Sequence, residues 1–148
     1  MKRDLVTDIK AVHSIKAQTV TATATGVSVD LLGFNSVTAI IALGAATSLD
    51  GSNKIVFSLV ESDDNSVFTA VDATVAADNI EGSSDYSPQH GVVTIDADAE
   101  TDDVYKIGYR GKKRYIKVVG TVTGTVSIGV ACPVILGHAE ETPAVQTV

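Results

Sequence analysis

Lys54-Ile55-Val56-Phe57-Ser58-Leu59-Val60-Glu61-Ser62-Asp63-Asp64-Asn65-Ser66-Val67-Phe68-Thr69 is the stretch that decides the fold class. Ile55, Phe57 and Leu59 recur at every second position, which places them on one face of an extended strand. Asp63-Asp64-Asn65 is a polar turn, because short Asp and Asn side chains bond to nearby backbone and tolerate left-handed conformations. Val67 to Val71 then returns as a hairpin partner. A second stretch has the same texture: Tyr105-Lys106-Ile107-Gly108-Tyr109-Arg110-Gly111-Lys112-Lys113-Arg114-Tyr115-Ile116-Lys117-Val118-Val119. It reads as another hairpin, with strands at Val104–Tyr109 and Tyr115–Val119 joined by a polar turn.

The same period continues on either side. Thr19-Val20-Thr21-Ala22-Thr23-Ala24-Thr25 alternates hydroxyl and apolar side chains, and Val27-Ser28-Val29-Asp30-Leu31 alternates again after Gly26. Ser36 to Ala45 is a long apolar strand. Asp50-Gly51 is a turn pair. Gly91 to Ile95 and Val126 to Leu136 complete the set, with Gly120 to Thr125 as a strand end and turn. About eight or nine strands separated by turn signals predict an all-β fold, an antiparallel β-sandwich or jelly-roll-like single domain.

Three segments lie outside that pattern. Asp72 to Gln89 is irregular and predicts a long loop with one short helix near Thr74 to Asp78; loops of this length are commonly functional. At the start, Leu5, Ile9 and Val12 with Asp4 and Asp8 fit either a short helix or an extended arm. After Gly137, Ala139-Glu140-Glu141-Thr142-Pro143 reads as a flexible or docking tail. The expected organisation is an N-terminal arm over 1–16, a β-sandwich over 17–137 and a flexible C-terminal tail over 138–148.

Composition narrows the function classes. A chain of 148 residues is most simply one domain, and folding at this size buries about 70% of the unfolded surface, enough for a core without staples. A net charge of −7 argues against nucleic-acid binding, which needs a concentrated cationic face. The one basic cluster, Lys112-Lys113-Arg114, sits in the polar turn and reads as solvated. A single cysteine, Cys132, permits no intrachain disulfide and reads as a buried thiol. No apolar run approaches the ~20 residues that span a bilayer. The start, Met1 to Asp8, lacks an apolar signal core, so synthesis and folding in the cytoplasm are expected.

Catalytic and metal chemistry find little support. His13, His90 and His138 are far apart, and no nucleophile-elbow, zinc-protease or phosphate-loop motif occurs, so no enzymatic activity is expected. Asp63-Asp64-Asn65 and the run Asp96 to Asp103 are rich in oxygen, as calcium requires. Neither matches the calcium-loop pattern, so they read as a hairpin turn and a solvated loop, and no metal or cofactor is expected. Tyr86, Tyr105, Tyr109 and Tyr115 resemble a sugar-stacking set, but tyrosines on neighbouring strands usually stabilise a sheet.

At the two hairpin-like stretches the chain resembles small tailed-phage head proteins, a family of phage and prophage structural proteins encoded beside a major capsid protein. The resemblance covers roughly residues 36 to 136 and is strongest over 54–69 and 105–119. It implies a capsid decoration (cement) protein: a β-sandwich or jelly roll that sits as a homotrimer on the outer surface of a phage head and clamps neighbouring capsid subunits. The implied partners are the major capsid protein and other copies of the chain, with no nucleic acid and no membrane, and the implied location is the virion surface after assembly in the host cytoplasm. The shared motifs carry no functional residue across. The N-terminal arm is the expected capsid-facing or exchanged segment, through Lys2, Arg3, Leu5, Val6, Ile9 and Val12. An alternative from a different class is a receptor- or glycan-binding module of a head fibre or tail, using the 72–90 loop and exposed tyrosines. A tail-tube or head–tail component is a third reading.

Overall fold

A computed structural model of the chain describes residues 5–71, 80–82 and 92–140. Eleven strands occur among these residues: β1 (Ile9–Val20), β2 (Ala24–Thr25), β3 (Val29–Asp30), β4 (Phe34–Leu43), β5 (Lys54–Ser62), β6 (Thr69–Ala70), β7 (Ile80–Gly82), β8 (Val92–Ile95), β9 (Val104–Tyr109), β10 (Tyr115–Thr123) and β11 (Ile128–Ala139). Alternation produces them, since β-branched residues at every second position pack well on a pleated surface. In β5 the alternation is complete: Ile55, Phe57 and Leu59 are buried at 0%, 0% and 2% exposure.

The strands form two antiparallel sheets, a β-sandwich. One sheet has the order β1-β11-β4-β9-β7. The other runs β2-β10-β5-β6, with β3 also on β10 and β8 also on β5. Pairing is nested from the outside of the chain inward: β1 with β11, β2 and β3 with β10, β4 with β9, and β5 with β8. Inward side chains of both sheets, among them Ile41, Ile107, Val134 and Leu136 from one and Phe57, Ile95, Ile116 and Val118 from the other, make a single core.

Nesting corrects the reading of residues 105–119. These are not a hairpin: β9 pairs with β4 in the first sheet, and β10 pairs with β5 in the second. The link at 110–114 crosses from one sheet to the other. A local pattern of strand, polar turn and strand fits both arrangements, and only the distant partners β4 and β5 decide between them. The 54–69 stretch is a hairpin as expected, but a short one. β6 covers only Val60 and Glu61, and β8 takes the edge from Ile55 to Ser58.

The ends also differ from the sequence reading. Residues 9–16, read as part of an arm, belong to a strand of 12 residues paired with β11 from Ile9↔Gly137 to Val20↔Ile128. Strict alternation is absent from β1 because its register against β11 shifts between His13 and Ile15 and again between Ile15 and Gln18. Likewise β11 runs on to Ala139, past the expected tail boundary. β10 extends to Thr123, held by Lys54 across the ladder. The expected helix at 74–78 lies outside the described residues.

A bulge in β1 locks the two sheets together at Ser14. The register shifts between His13 and Ile15 turn Ser14 inward, where it is 1% exposed. Its Oγ donates to the Val27 carbonyl at 3.0 Å and accepts the Val118 N–H at 2.9 Å. The Gly26 N–H donates to the Val118 carbonyl at 2.8 Å. Pro133 sits opposite His13 at this bulge, a position where a central strand tolerates a residue with no N–H to give.

Candidate functional site

Among the described residues, the expected docking residues Ile9 and Val12 face opposite sides of the sheet. Lys2 and Arg3 lie outside the described residues. Leu5 and Val6 stand exposed at 65% and 77%, just before a turn in which the Asp8 N–H donates to the Leu5 carbonyl at 3.0 Å. Ile9 opens β1 on the outward side, opposite Gly137. Val12 points the other way, packs on the core and is opposite Val134, so it is a structural residue. Leu5 and Ile9 do meet: with Ser36, Thr38, Ile135 and Gly137 they line an open cleft of about 590 Å³ at one end of the first sheet's outer face.

That outer face is the feature the sequence reading passed over. Strand alternation puts Ser36, Thr38, Ile40 and Ala42 of β4 outward, beside Gly129, Ala131, Pro133, Ile135 and Gly137 of β11, and these two central strands bear no charge there. Lys106 on β9 and His13 on β1 flank them. An antiparallel sheet with one solvated face normally alternates apolar and polar residues. The second sheet's outward positions are mixed, with Lys54, Ser58, Lys117 and Thr121 among Val56, Val60 and Val119, and Lys117 Nζ lies 3.9 Å from the centre of the Phe68 ring. A signal was present in the near-continuous apolar runs Val37 to Leu43 and Ile128 to Leu136, which mark strands covered on both faces.

A polar cluster lies at the same end of the sandwich as the open cleft, since Tyr109 pairs with Val37, next to Ser36. Tyr109, 5% exposed, donates its hydroxyl hydrogen bond to Glu61 Oε2 and accepts the Lys113 N–H at 3.2 Å. Lys113 Nζ pairs with Asp63, and Arg114 grips Asp30 through two bonds of 2.9 and 2.7 Å. Burial, and then the Glu61 carboxylate, push the Tyr109 phenol well above its ordinary pKa, so it is a fixed donor rather than an acid. The basic turn is therefore partly spent on ion pairs with the chain's own carboxylates. We expect Tyr109→Phe to lower unfolding free energy by about 1–3 kcal/mol in urea titration, because it strands the Lys113 N–H and removes the Glu61 partner.

Of the remaining tyrosines, Tyr105 and Tyr115 are in different sheets. Tyr105 donates to the Glu100 carbonyl at 2.8 Å, and the Arg114 guanidinium lies 5.0 Å from the Tyr115 ring centre. Tyr86 and His90 lie outside the described residues. Among the described residues no three His, Cys, Asp or Glu side chains converge as a metal site. The oxygen-rich runs are occupied by backbone. Asp64 Oδ1 accepts from the Ser66 and Val67 N–H groups at 2.9 and 3.0 Å, Asp98 from Ser48 and Leu49 at 3.1 and 2.8 Å, and Glu100 from Asp96 and Ala97 at 2.9 and 3.1 Å. Cys132 is fully buried, and burial pushes its thiol up to about 12.

Such carboxylates set the response to acid. Backbone N–H donors hold Asp64 and Asp50 below the usual carboxylate range, and the Arg114 hydrogen bond does so for Asp30. Each group binds its proton more weakly folded than unfolded. It therefore contributes stability above the unfolded value near about 3.9, and this is lost as pH falls through the lower folded value. The melting temperature should stay level from neutral pH down to about pH 5 and fall below about pH 4. Asp64→Asn should flatten part of that fall; an unchanged acid profile in the variant would rule out the turn as a source.

Compared with known proteins, the sequence matches no family model and no curated relative.

Proposed function

We propose that this protein is a capsid decoration protein, binding the outer surface of a tailed-phage head as a trimer and stabilising it. The observation that carries the reading is the charge-free centre of a sheet face, over β4 and β11, beside the exposed Leu5–Val6 turn, on a sandwich in which Asp64, Asp98 and Tyr105 are engaged in holding its own loops. These are features of a part that binds proteins over area. The resemblance at 54–69 and 105–119 points the same way. The nested pairing of eight principal strands, in the orders β1-β11-β4-β9 and β3-β10-β5-β8, supports the jelly-roll form that the resemblance implies. A three-fold assembly suits a repeated surface, since three modest contacts made together gain avidity.

The test is addition of purified protein to heads that lack it, followed by sedimentation and cryo-microscopy. Saturable binding with three-lobed density at three-fold positions is the expected result. Absence of binding, with binding to host cells or polysaccharide instead, would favour the fibre or tail module. A deletion probing the arm should stop at Asp8, because removing residues to 12 takes the first four residues of β1.

A further inference from the structure

We infer that the outer face of the β1-β11-β4-β9 sheet is the surface through which copies of this chain associate. The inference goes beyond the decoration reading: one face meeting its own copy is a two-fold contact, distinct from the three-fold one proposed above.

Three observations select a second copy as the occupant. First, the centre of the face is free of charge where that of its counterpart is not. Thr38, Ile40 and Ala42 lie beside Ala131, Pro133 and Ile135 with no charge among them, while the second sheet presents lysines and threonines. Second, the charge distribution permits self-contact. The chain carries 18 Asp and Glu residues and a net charge of −7, so two copies repel over most of their surface. Not one of those acids lies in β1, β4, β9 or β11. Two copies that meet over β4 and β11 therefore oppose no carboxylate of these four strands; the acid of this sheet, Glu81, is in β7 at its edge. Third, the area suffices. β4 is 10 residues long; at about 3.4 Å per residue and about 4.8 Å between strands, four strands present roughly 650 Å². Two such faces bury roughly 1,300 Å², within the range of stable interfaces. Small side chains at Ala42, Ala131 and Gly129 keep the surface flat, as sheet packing at about 10 Å requires.

Sedimentation equilibrium of the full chain and two single variants tests this. The wild type should be a homo-oligomer at micromolar concentration. Ala131→Arg, which places a charge at the centre of the outward face, should lose this contact and sediment at a lower mass than the wild type, with its β-sheet circular dichroism intact. Thr121→Arg, on the outward side of the second sheet, should keep the wild-type mass. If Ala131→Arg fails to fold, Thr38→Arg on the adjacent strand makes the same test. A wild type that stays monomeric at about 100 μM, far above the dissociation constant an interface of this size commonly shows, overturns the inference; so does an Ala131→Arg protein of unchanged mass. The two readings fail separately. A monomeric wild type whose head binding is lost in Ala131→Arg makes the face a capsid footprint, overturning the inference and leaving decoration intact. A wild-type oligomer dispersed by Ala131→Arg that binds no heads upholds the inference and removes decoration.

Discussion

Phe57→Ala should lower the free energy of unfolding by about 3–5 kcal/mol, a large part of the 5–15 kcal/mol typical of a domain. Phe57 is the largest of the fully buried side chains. It lies in the middle of β5, which is paired on one edge with β10 and on the other with β8. Its ring fills the space left by Gly120, directly across the ladder, where an added Cβ would come within 3.0 Å of the ring. Truncation thus removes the ring's transfer energy and leaves a cavity between two sheets tied by several ladders, which limits collapse. Equilibrium urea unfolding measures the loss. A decrease below about 1.5 kcal/mol would mean that the sheets close on the vacated space or that the core is not centred on β5.

The second large effect is expected at the corner where β1 meets the opposite sheet. A Cβ at Gly26 would lie 2.2 Å from Ser14 Oγ and 2.6 Å from the Val118 carbonyl oxygen. Gly26→Ala must therefore break the Ser14 bonds or push the chain away from Val118. It should cost about 3 kcal/mol or more, combining overpacking with stranded buried polar groups. Ser14→Ala should cost less, about 1–3 kcal/mol, because it orphans the Val118 N–H without a clash. The double variant should not restore wild-type stability, since the contact with the Val118 carbonyl persists. Full recovery in the double variant would show that the hydroxyl alone carries the constraint. Residues that share partners are not additive, so the three proteins need to be measured together.

Sequence alone reads the strands of this molecule well where burial is one-sided. Ile55, Phe57 and Leu59 declare their face at period two because only one side of β5 packs on the core. Reading fails where the deciding partner is distant. The turn-like centre Gly111-Lys112-Lys113-Arg114 looks the same in a hairpin and in a crossing between sheets. What separates them is the placement of β4 and β5, far back in the chain. Ser14 and Gly26 carry no local mark of their bond, since a bulge registers only against the partner strand β11. The outward face was partly legible. Its apolar runs are plain in the sequence, but their meaning depends on knowing that β4 and β11 are adjacent and central.

The position of β11 between β1 and β4 has a consequence for how the polypeptide is made. On a ribosome, the strand that holds β1 and β4 together emerges after every other described strand. Until then these two have no common neighbour, and two long apolar strand edges wait unpaired. Formation of this sheet is therefore limited by the closure of the long loop that brings Gly137 to Ile9, a slow class of event. A nascent or prematurely terminated product ending before Ile128 is the form of this protein most exposed to chaperones, proteases and aggregation, and quality control should act on it there.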